Sequence, residues 1–167
     1  MELRWDPIME QWVIVSGKRG DRPVLPQGYC PFCPGSREVP EKDWTVLSLP
    51  NAFPALRSDP PPPDIVGNKL YRSLPSKGVC EVLIYTPKHD ACLADLSVDN
   101  IRAVVDLWTQ RFEELGSRDY VKYVFIFENK GRIIGVTLDH AHGQLYAFPF
   151  VPSIVQKELA SSQKYMK

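Results

Sequence analysis

The sequence predicts an α+β fold in which a strand-rich sheet is covered by one long amphipathic helix. Residues 79–85 and 122–128 are rich in Val, Ile, Phe and Tyr, which is typical of buried strands. The prolines concentrate in the first half of the chain and disfavour a long helix before residue 78. Between the two strands, apolar side chains recur at alternating steps of four and three, the pattern of a helix with one apolar face: Ile101, Val105, Trp108, Phe112 and Leu115. Packing that face on the strands gives an antiparallel or mixed sheet under a helix.

The remaining elements follow in chain order. A short apolar run predicts a strand at residues 12–16, and irregular loops follow it. The proline run within residues 58–64 predicts an exposed loop with polyproline character. Ser97 is placed to cap the start of the helix, and Gly116 is placed to end it. Residues 153–167 have helical character with a partly apolar face.

Composition excludes several classes of partner. Lys and Arg together number 20 and balance 20 Asp and Glu, so the chain lacks the basic footprint that nucleic acids and anionic membranes attract. No apolar run approaches the length of a membrane span, and the first residues carry no apolar signal core. With 167 residues, the chain has the size of one ordinary domain. We therefore expect a soluble cytoplasmic domain whose partners are neither nucleic acid nor membrane.

Two of the four cysteines form a metal-binding pattern. Cys30 and Cys33 are separated by two residues, a spacing that lets both sulfurs reach one tetrahedral ion. A cytosolic chain keeps its thiols reduced, so metal ligation is favoured over a disulfide. Cys80 lies within a predicted strand and Cys92 has no partner at such a spacing. We expect both of these to be small buried or half-buried apolar groups.

The chain has only three histidines, and they can complete that site. His89 follows a predicted strand, whereas His140 and His142 lie one residue apart and point to the same side of an extended segment. A closed four-coordinate zinc site needs two ligands besides the cysteines, and His89 with either His140 or His142 supplies them. A closed site has no open position for substrate, so the remaining histidine would be free to act as a nucleophile beside it.

The run His-Ala-His-Gly-Gln at residues 140–144, preceded by Phe-Glu-Asn-Lys-Gly at 127–131, resembles the active-site region of galactose-1-phosphate uridylyltransferases. These enzymes form the His-x-His-x-Gln branch of the histidine-triad superfamily. Similar segments occur in the family's order over nearly the whole chain, at residues 10–16, 30–33, 51–56 and 87–89. The resemblance implies a histidine-triad-like sheet in an N-terminal nucleotidyltransferase domain, residues 1–152. Residues 153–167 would then begin a helical connection to a second half that is absent.

The resemblance also implies a role for each site residue. Zinc would be held by Cys30, Cys33, His89 and His140, with iron as an alternative metal. His142 would attack the α-phosphorus of a nucleotide sugar and form a covalent nucleotidyl-histidine, and Gln144 would stabilise charge on the intermediate. The implied contacts to nucleotide, ribose and phosphates are Arg19, Arg22, Asn51, Asn129, Gly135, Thr137 and Gln144. In the family such arginines can reach across a subunit interface.

The activity that the resemblance implies is the exchange of UMP between UDP-glucose and galactose 1-phosphate. Three departures from the family's usual pattern bear on it. Ala141 stands where proline is usual between the histidines, Ala52 replaces an acidic residue common after Asn51, and residues 136–139 lean toward adenylyl-transferring relatives. An ADP-sugar or dinucleotide phosphorylase, or adenylyltransferase, of the same superfamily is therefore the alternative. A zinc-stabilised nucleotide-binding module without catalysis is an alternative of another class.

The resemblance covers only the N-terminal half of a typical member, whose second half repeats the fold and contributes groups for the hexose phosphate. A nucleotide sugar and a hexose 1-phosphate are the expected small-molecule partners. We also expect either a homodimer or a partner chain that supplies the missing half.

Overall fold

The computed structural model describes residues 1–16, 26, 28–36, 39–134, 136 and 138–166, with Arg132 described by its backbone alone. Within them, seven strands and two α-helices are formed. In chain order they are β1 (Glu2–Asp6), β2 (Gln11–Val15), β3 (Leu47–Pro50), β4 (Ser73–Pro75), β5 (Val79–Ile84), α1 (Val98–Gly116), β6 (Tyr123–Phe127), β7 (His142–Phe148) and α2 (Ser153–Tyr165). Single 3₁₀ turns occupy Leu93–Asp95 and Arg132–Ile134.

The strands form two antiparallel sheets. The larger sheet has the order β3-β5-β7-β6, and the smaller has the order β2-β1-β4. In the larger sheet β7 lies between β5 and β6, so the strand that begins at His142 is paired along both edges. The antiparallel register sets Ile84, at the end of β5, opposite His142 at the start of β7. Whatever follows β5 therefore meets whatever precedes β7.

The core lies on both faces of the larger sheet because successive strand residues point to opposite sides. On one face, Leu83 of β5 and Leu145 of β7 pack against Val104 and Leu115 of α1. On the other face, Cys80 packs in a smaller cluster that also contains two buried leucines and several half-buried aromatic rings: Leu3, Leu56, Trp12, Tyr146, Phe148 and Phe150. The α+β class, with a long helix packed on an antiparallel sheet, is confirmed.

The ends of α1 agree closely with the sequence. The Ser97 hydroxyl accepts a hydrogen bond from the backbone N–H of Asn100 at 3.2 Å, which is the cap expected at that position. Gly116 is the last helical residue, but Ser117 follows it in a right-handed conformation. The helix therefore ends at the predicted place without the left-handed glycine turn that often closes helices.

The orientation of α1 differs from the predicted apolar stripe. Trp108 and Leu115 pack on the sheet as expected, whereas Ile101, Val105 and Phe112 are 37%, 46% and 53% exposed. Trp108 and Leu115 stay on the inward face, but Val104 and Arg111 take the places predicted for Val105 and Phe112. The helix is rotated because a cation, Arg111, belongs to its buried face.

Arg111 is accommodated there by Glu81 of β5. Its Nε and Nη2 donate to the two carboxylate oxygens at 2.8 and 2.5 Å, and the Ser48 hydroxyl of β3 donates to the same carboxylate at 2.8 Å. Arg111 also bonds Glu114 on the next turn of α1. The charges of Arg111 and Glu81 are thus compensated inside the fold. Among the described residues, no helix is both long enough and apolar enough to cross a membrane.

Candidate metal centre and adjacent histidine

The two cysteines lie in a hydrogen-bonded turn in the segment that joins β2 to β3. The Ser36 hydroxyl donates to the carbonyl of Cys30 at 2.8 Å, and the Ser36 backbone N–H donates to the carbonyl of Cys33 at 3.0 Å. Cys30 is buried and Cys33 is half-buried. These bonds hold the turn, so both thiols are presented to the same volume.

The two histidines of the cluster come from the loops that adjoin the neighbouring strands β5 and β7. His89 lies in the turn after β5, and His140 lies two residues before the first residue of β7. Because the strands are antiparallel neighbours, the two loops meet at one end of the sheet. His140 is 1% exposed, whereas His89 lies at the surface of the cluster.

The four side chains have the spacing of a tetrahedral metal site. Cys33 Sγ lies 3.3 Å from His89 Nδ1, while His140 Nδ1 lies 3.6 Å from Cys30 Sγ and 3.7 Å from Cys33 Sγ. All four candidate ligand atoms lie within 4.8 Å of one another. Zinc bonds are about 2.3 Å to sulfur and about 2.05 Å to nitrogen, so a sulfur and a nitrogen on one tetrahedral ion lie about 3.6 Å apart. The donor set therefore fits one such ion.

The geometry also selects His140 over His142 as the fourth member of the set. His140 Nε2 lies 2.7 Å from the carbonyl oxygen of Thr86, which can only accept a hydrogen bond, so the ring proton belongs on Nε2. The lone pair of Nδ1 then faces the two thiols. Burial lowers the pKa of His140, which keeps the ring neutral as a metal ligand must be.

The thiols themselves depend on a cation. Burial raises the pKa of Cys33 to about 11, and the neighbouring Cys30 contributes to the same effect. A metal cation between the sulfurs would reverse this preference because it would stabilise the thiolate form. The four side chains are thus a group that could hold a metal ion.

His142 lies beside the cluster but belongs to a different arrangement. Its Nδ1 lies 2.7 Å from the carbonyl oxygen of His140, to which it donates, so Nε2 is the nitrogen with a lone pair. The ring of Phe32, the residue between the two cysteines and beside Cys33, packs on the imidazole with centroids 5.0 Å apart. Both contacts hold the ring of His142 in one orientation.

Gly143 allows a close approach beneath the strand that carries His142. A Cβ on residue 143 would clash with the hydroxyl oxygen of Tyr85 and would lie 3.2 Å from the carbonyl oxygen of Phe127. The backbone N–H of Tyr85 also donates to the carbonyl of Ala141 at 3.1 Å. Glycine is required here because the buried Tyr85 ring occupies the space of a side chain.

Several other predicted residues are brought near the histidines and several are not. A cavity of about 110 Å³ is lined by both His140 and His142, and also by Asn129 and Lys130. Gln144 shares the face of β7 that carries His142, because it lies two residues farther along the strand, but it does not line this cavity. Asn51 lies outside the cavity as well, where its side chain accepts from the backbone N–H of Phe53.

Four predicted contacts, Arg19, Arg22, Gly135 and Thr137, lie outside the described residues. Conversely, the residues singled out from the sequence did not include Thr86, Phe32 or Tyr85. The position of Phe32 between the cysteines is a signal that could have found it, and Gly143 is a signal for a close neighbour. Thr86 offers no such signal, because it contributes a backbone carbonyl that any residue could supply.

Comparisons with known proteins give the following similarities. A family model described as the galactose-1-phosphate uridyl transferase N-terminal domain matches residues 1–152. A galactose-1-phosphate uridylyltransferase of Thermotoga maritima is 40% identical over 166 residues, which are 99% of this chain and 52% of that protein. A solved structure of a uridylyltransferase superposes with a TM-score of 0.87 at 36% identity, over 99% of this chain and 51% of the other.

A more distant similarity concerns an adenine nucleotide. The crystal structure of an ADP-glucose phosphorylase from Arabidopsis thaliana with bound ADP-glucose gives a TM-score of 0.68 at 25% identity, over 99% of this chain and 54% of that one. The chain spans about half the length of the relatives that it matches.

Proposed function

The chain belongs to the galactose-1-phosphate uridyl transferase family, and on that premise we propose that it performs the nucleotidyl transfer of a hexose-1-phosphate uridylyltransferase. In this proposal UMP moves between UDP-glucose and galactose 1-phosphate, as a step of galactose metabolism. One observation carries the proposal. The Nδ1 atom of His142 is held by a backbone carbonyl, and the ring lies next to a cluster whose four members are other side chains.

The proposed chemistry uses the neutral imidazole of His142. Its Nε2 lone pair forms a bond to the α-phosphorus of the nucleotide sugar, and the bond from that phosphorus to the bridging oxygen breaks to release the hexose 1-phosphate. The proton on Nδ1 stays on the bond to the His140 carbonyl, which supports the positive charge that the ring acquires. A phosphate oxygen of the second hexose 1-phosphate then attacks the same phosphorus, and His142 leaves as neutral imidazole.

Polar side chains around His142 are proposed to hold the phosphates and the nucleotide. Gln144, on the same strand face, donates its amide to a phosphoryl oxygen, and Asn129 lines the cavity where the nucleotide would enter. The resemblance supplies the remaining proposed contacts: Arg19, Arg22, Asn51, Gly135 and Thr137. Arginine suits phosphate oxygens because its guanidinium donates two parallel hydrogen bonds.

We propose zinc as the ion of the cluster, bound by Cys30, Cys33, His89 and His140, with iron as the alternative. A set of two sulfurs and two imidazoles suits tetrahedral zinc, and its four members leave no position for substrate. The ion would neutralise the thiolates and cross-link the cysteine turn to the sheet. The chain's own contribution is the placement of the His140 carbonyl, which orients His142.

A second unit of the same fold is the proposed protein partner, supplied by a homodimer or by another half. We assign residues 1–152 to the nucleotidyltransferase domain, and α2 with the end of the chain to a connection. Among the described strands β6 lies at an edge of the larger sheet, and its middle residue, Phe125, is exposed. The exposed side of α1, with Ile101 and Val105, adds apolar surface. Such an edge favours pairing with further chain.

The cytoplasm is the proposed compartment, since the cluster needs reduced thiols and the four cysteines are free. An adenylyl-transferring enzyme is the second candidate, because Ala52 and residues 136–139 depart from the usual uridylyl pattern. The lower identity and TM-score of the ADP-glucose phosphorylase place it behind the first. A non-catalytic nucleotide-binding module is the third candidate, and in it the fixed orientation of the His142 ring would have no function.

One labelling experiment distinguishes the three candidates. The protein as isolated is assayed for metal content, mixed with UDP-glucose or ADP-glucose, and analysed by intact mass. We expect an added mass of one uridylate, absent from the His142→Asn variant, which should keep its metal. An adenylate adduct would support the second candidate. Binding of nucleotide sugar without any adduct, in metal-replete protein, would overturn catalysis and support the binding module.

A further inference from the structure

The start of α1 makes a side-chain contact with the segment that leaves β5. The amide nitrogen of Asn100 donates a hydrogen bond to the carbonyl oxygen of Tyr85 at 2.8 Å. The partner fixes the orientation of this amide group, because a carbonyl oxygen only accepts hydrogen bonds. The backbone N–H of Asn100 is engaged separately, since it donates to the hydroxyl of Ser97 that caps the helix. The Asn100 side chain therefore links α1 to the first residue after β5.

The backbone of Tyr85 is held at both of its polar groups. Its N–H donates to the carbonyl of Ala141, one residue before β7, and its carbonyl accepts from Asn100. The peptide group that joins Tyr85 to Thr86 is planar, so a hydrogen bond to its oxygen fixes the orientation of the whole group. The helix that provides this bond is itself packed on the larger sheet. The loop after β5 therefore begins from a fixed peptide group.

Thr86 has little conformational freedom once that peptide group is fixed. Pro87 follows it, and a residue that precedes proline is restricted to extended conformations. The Thr86 hydroxyl also accepts a hydrogen bond from the backbone N–H of Lys88 at 3.2 Å, and Thr86 is buried. The direction of the Thr86 carbonyl is therefore determined by the peptide group before it and by the proline after it.

The Thr86 carbonyl is the group that orients His140. It accepts a hydrogen bond from His140 Nε2 at 2.7 Å, so the lone pair of Nδ1 faces the thiols. The carbonyl of His140 in turn accepts from Nδ1 of His142 at 2.7 Å. The hydrogen bond from Asn100 is thus the first of a series that reaches both histidines.

We propose that Asn100 is a positioning residue of the candidate metal centre. Its side-chain amide fixes the peptide group before Thr86 and so keeps the His140 ring turned with Nδ1 toward the thiols. Removing the groups that orient a metal-binding histidine typically weakens the metal site. The expected effect on zinc rests on the proposed function, whereas the series of hydrogen bonds stands independently of it. In this scheme Asn100 touches neither the ion nor the substrate.

One substitution removes the donor while preserving the start of the helix. Asn100→Asp keeps the shape of the side chain but offers only acceptor oxygens to the Tyr85 carbonyl. A carboxylate in the first turn also interacts favourably with the helix macrodipole, which offsets a loss of stability at the start of α1. Asn100→Gln keeps the amide on a longer side chain. Gln110→Glu makes the same change from amide to carboxylate at an exposed position of α1 and is the matched control.

The first test measures the affinity for zinc by competition with a chelator. We expect Asn100→Asp to bind zinc about tenfold more weakly, because the Thr86 carbonyl no longer holds the His140 ring in one orientation. Asn100→Gln should recover part of the affinity, and Gln110→Glu should bind zinc as the unaltered protein does. A lower melting temperature with unchanged zinc affinity in Asn100→Asp would overturn the positioning role.

The second test follows the hydrogen bond of His140 and needs no substrate. In protein labelled with ¹⁵N at histidine, the Nε2–H of His140 is distinguishable because His142 carries its proton on Nδ1 and the ring of His89 is partly exposed. We expect this proton to move upfield and to exchange about tenfold faster in Asn100→Asp, and to stay unchanged in Gln110→Glu. An unchanged resonance in Asn100→Asp would overturn the proposal.

The two tests also separate this proposal from the proposed function. If the unaltered protein binds no zinc, the assignment of the ion fails, and the His140 resonance alone decides whether Asn100 positions the ring. If the zinc-loaded protein forms no His142 adduct, the proposed nucleotidyl transfer fails, and both tests of Asn100 keep their meaning.

Discussion

Two clusters of polar groups lie along strand β5, one near its start and one just beyond its end. Near its start, Glu81 binds the guanidinium of Arg111 and the hydroxyl of Ser48. Just beyond its end, the cysteine turn meets His89 and His140. The first cluster joins a cation and an anion, so its charges balance within the chain. The second joins four groups that all offer electron pairs.

The difference shows how buried polar groups are stabilised in this fold. Glu81 and Arg111 compensate each other's charge through two parallel hydrogen bonds, so α1 packs on the sheet there without a bound ion. In the Cys–His cluster the thiol pKa of Cys33 is raised, which means that the surrounding protein does not stabilise a thiolate by itself. We therefore expect the second cluster to depend on a bound ion, and the first to depend on its geometry alone.

The largest effect is expected from removing a member of the Cys–His cluster. Cys33→Ser should lose the metal and lower the free energy of unfolding by more than about 4 kcal/mol, because ion binding stabilises only the folded state. Metal analysis joined to thermal melting measures both quantities. Cys92→Ser is the matched control, since Cys92 is half-buried and lies outside the cluster. Full metal content in Cys33→Ser would contradict the assignment.

Breaking the ion pair should have the next largest effect. Arg111→Met leaves Glu81 buried without its cation and should cost about 3 kcal/mol. Replacing both residues by Met should restore most of that loss, because no uncompensated charge remains. Arg118→Met, which removes a more exposed pairing with Glu114, should cost less than about 1 kcal/mol in the same denaturant titrations. Equal losses for the two arginines would show that the burial of Glu81 does not matter.

A smaller loss is expected beneath the candidate nucleophile. Gly143→Ala places a methyl group against the Tyr85 hydroxyl and should destabilise the protein by about 1–3 kcal/mol. Combining it with Tyr85→Leu should relieve part of the clash. Gly116→Ala is the comparison, since a Cβ at that helical residue would make only an ordinary contact with Val124 and alanine favours helices. Thermal melting of the three variants tests this, and an undisturbed Gly143→Ala protein would contradict the contact.

The smallest effect concerns the hydroxyl at the edge of the ion pair. Ser48→Ala removes one hydrogen bond to Glu81 while Arg111 still compensates the charge, so a loss of about 1 kcal/mol is expected. A double-mutant cycle with Arg111→Met shows whether the two contacts are coupled. Simple additivity would mean that Ser48 does not help to hold the carboxylate in place.

Local signals in the sequence predicted the elements that local physics determines. The strands at residues 79–85 and 122–128 and the helix that starts after Ser97 were within a residue or two of the structure. The Cys30 and Cys33 spacing likewise predicted a shared site. By contrast, β1, β3 and β4 were not predicted, because these short strands contain no Val, Ile, Phe or Tyr and are defined by the partners with which they pair.

The rotation of α1 and the choice of histidine ligand needed tertiary structure. Apolar periodicity favoured an inward Val105 and Phe112, but the Glu81 carboxylate on a strand distant in sequence makes Arg111 an inward residue instead. From the residues alone, His140 and His142 were equivalent candidates for the cluster. The carbonyl of Thr86, brought there by the register of β5 and β7, distinguishes them.

That pair of histidines has a consequence for how this site would respond to genetic screening. The groups that orient His140 and His142 are both main-chain carbonyls, those of Thr86 and of His140. Every amino acid carries such a carbonyl, so an alanine scan leaves both acceptors in place and does not report on their role. Deletions or insertions in the loops that follow β5 and precede β7 would shift the carbonyls themselves. The two carbonyl acceptors should therefore persist through substitution of their own residues but not through changes in loop length.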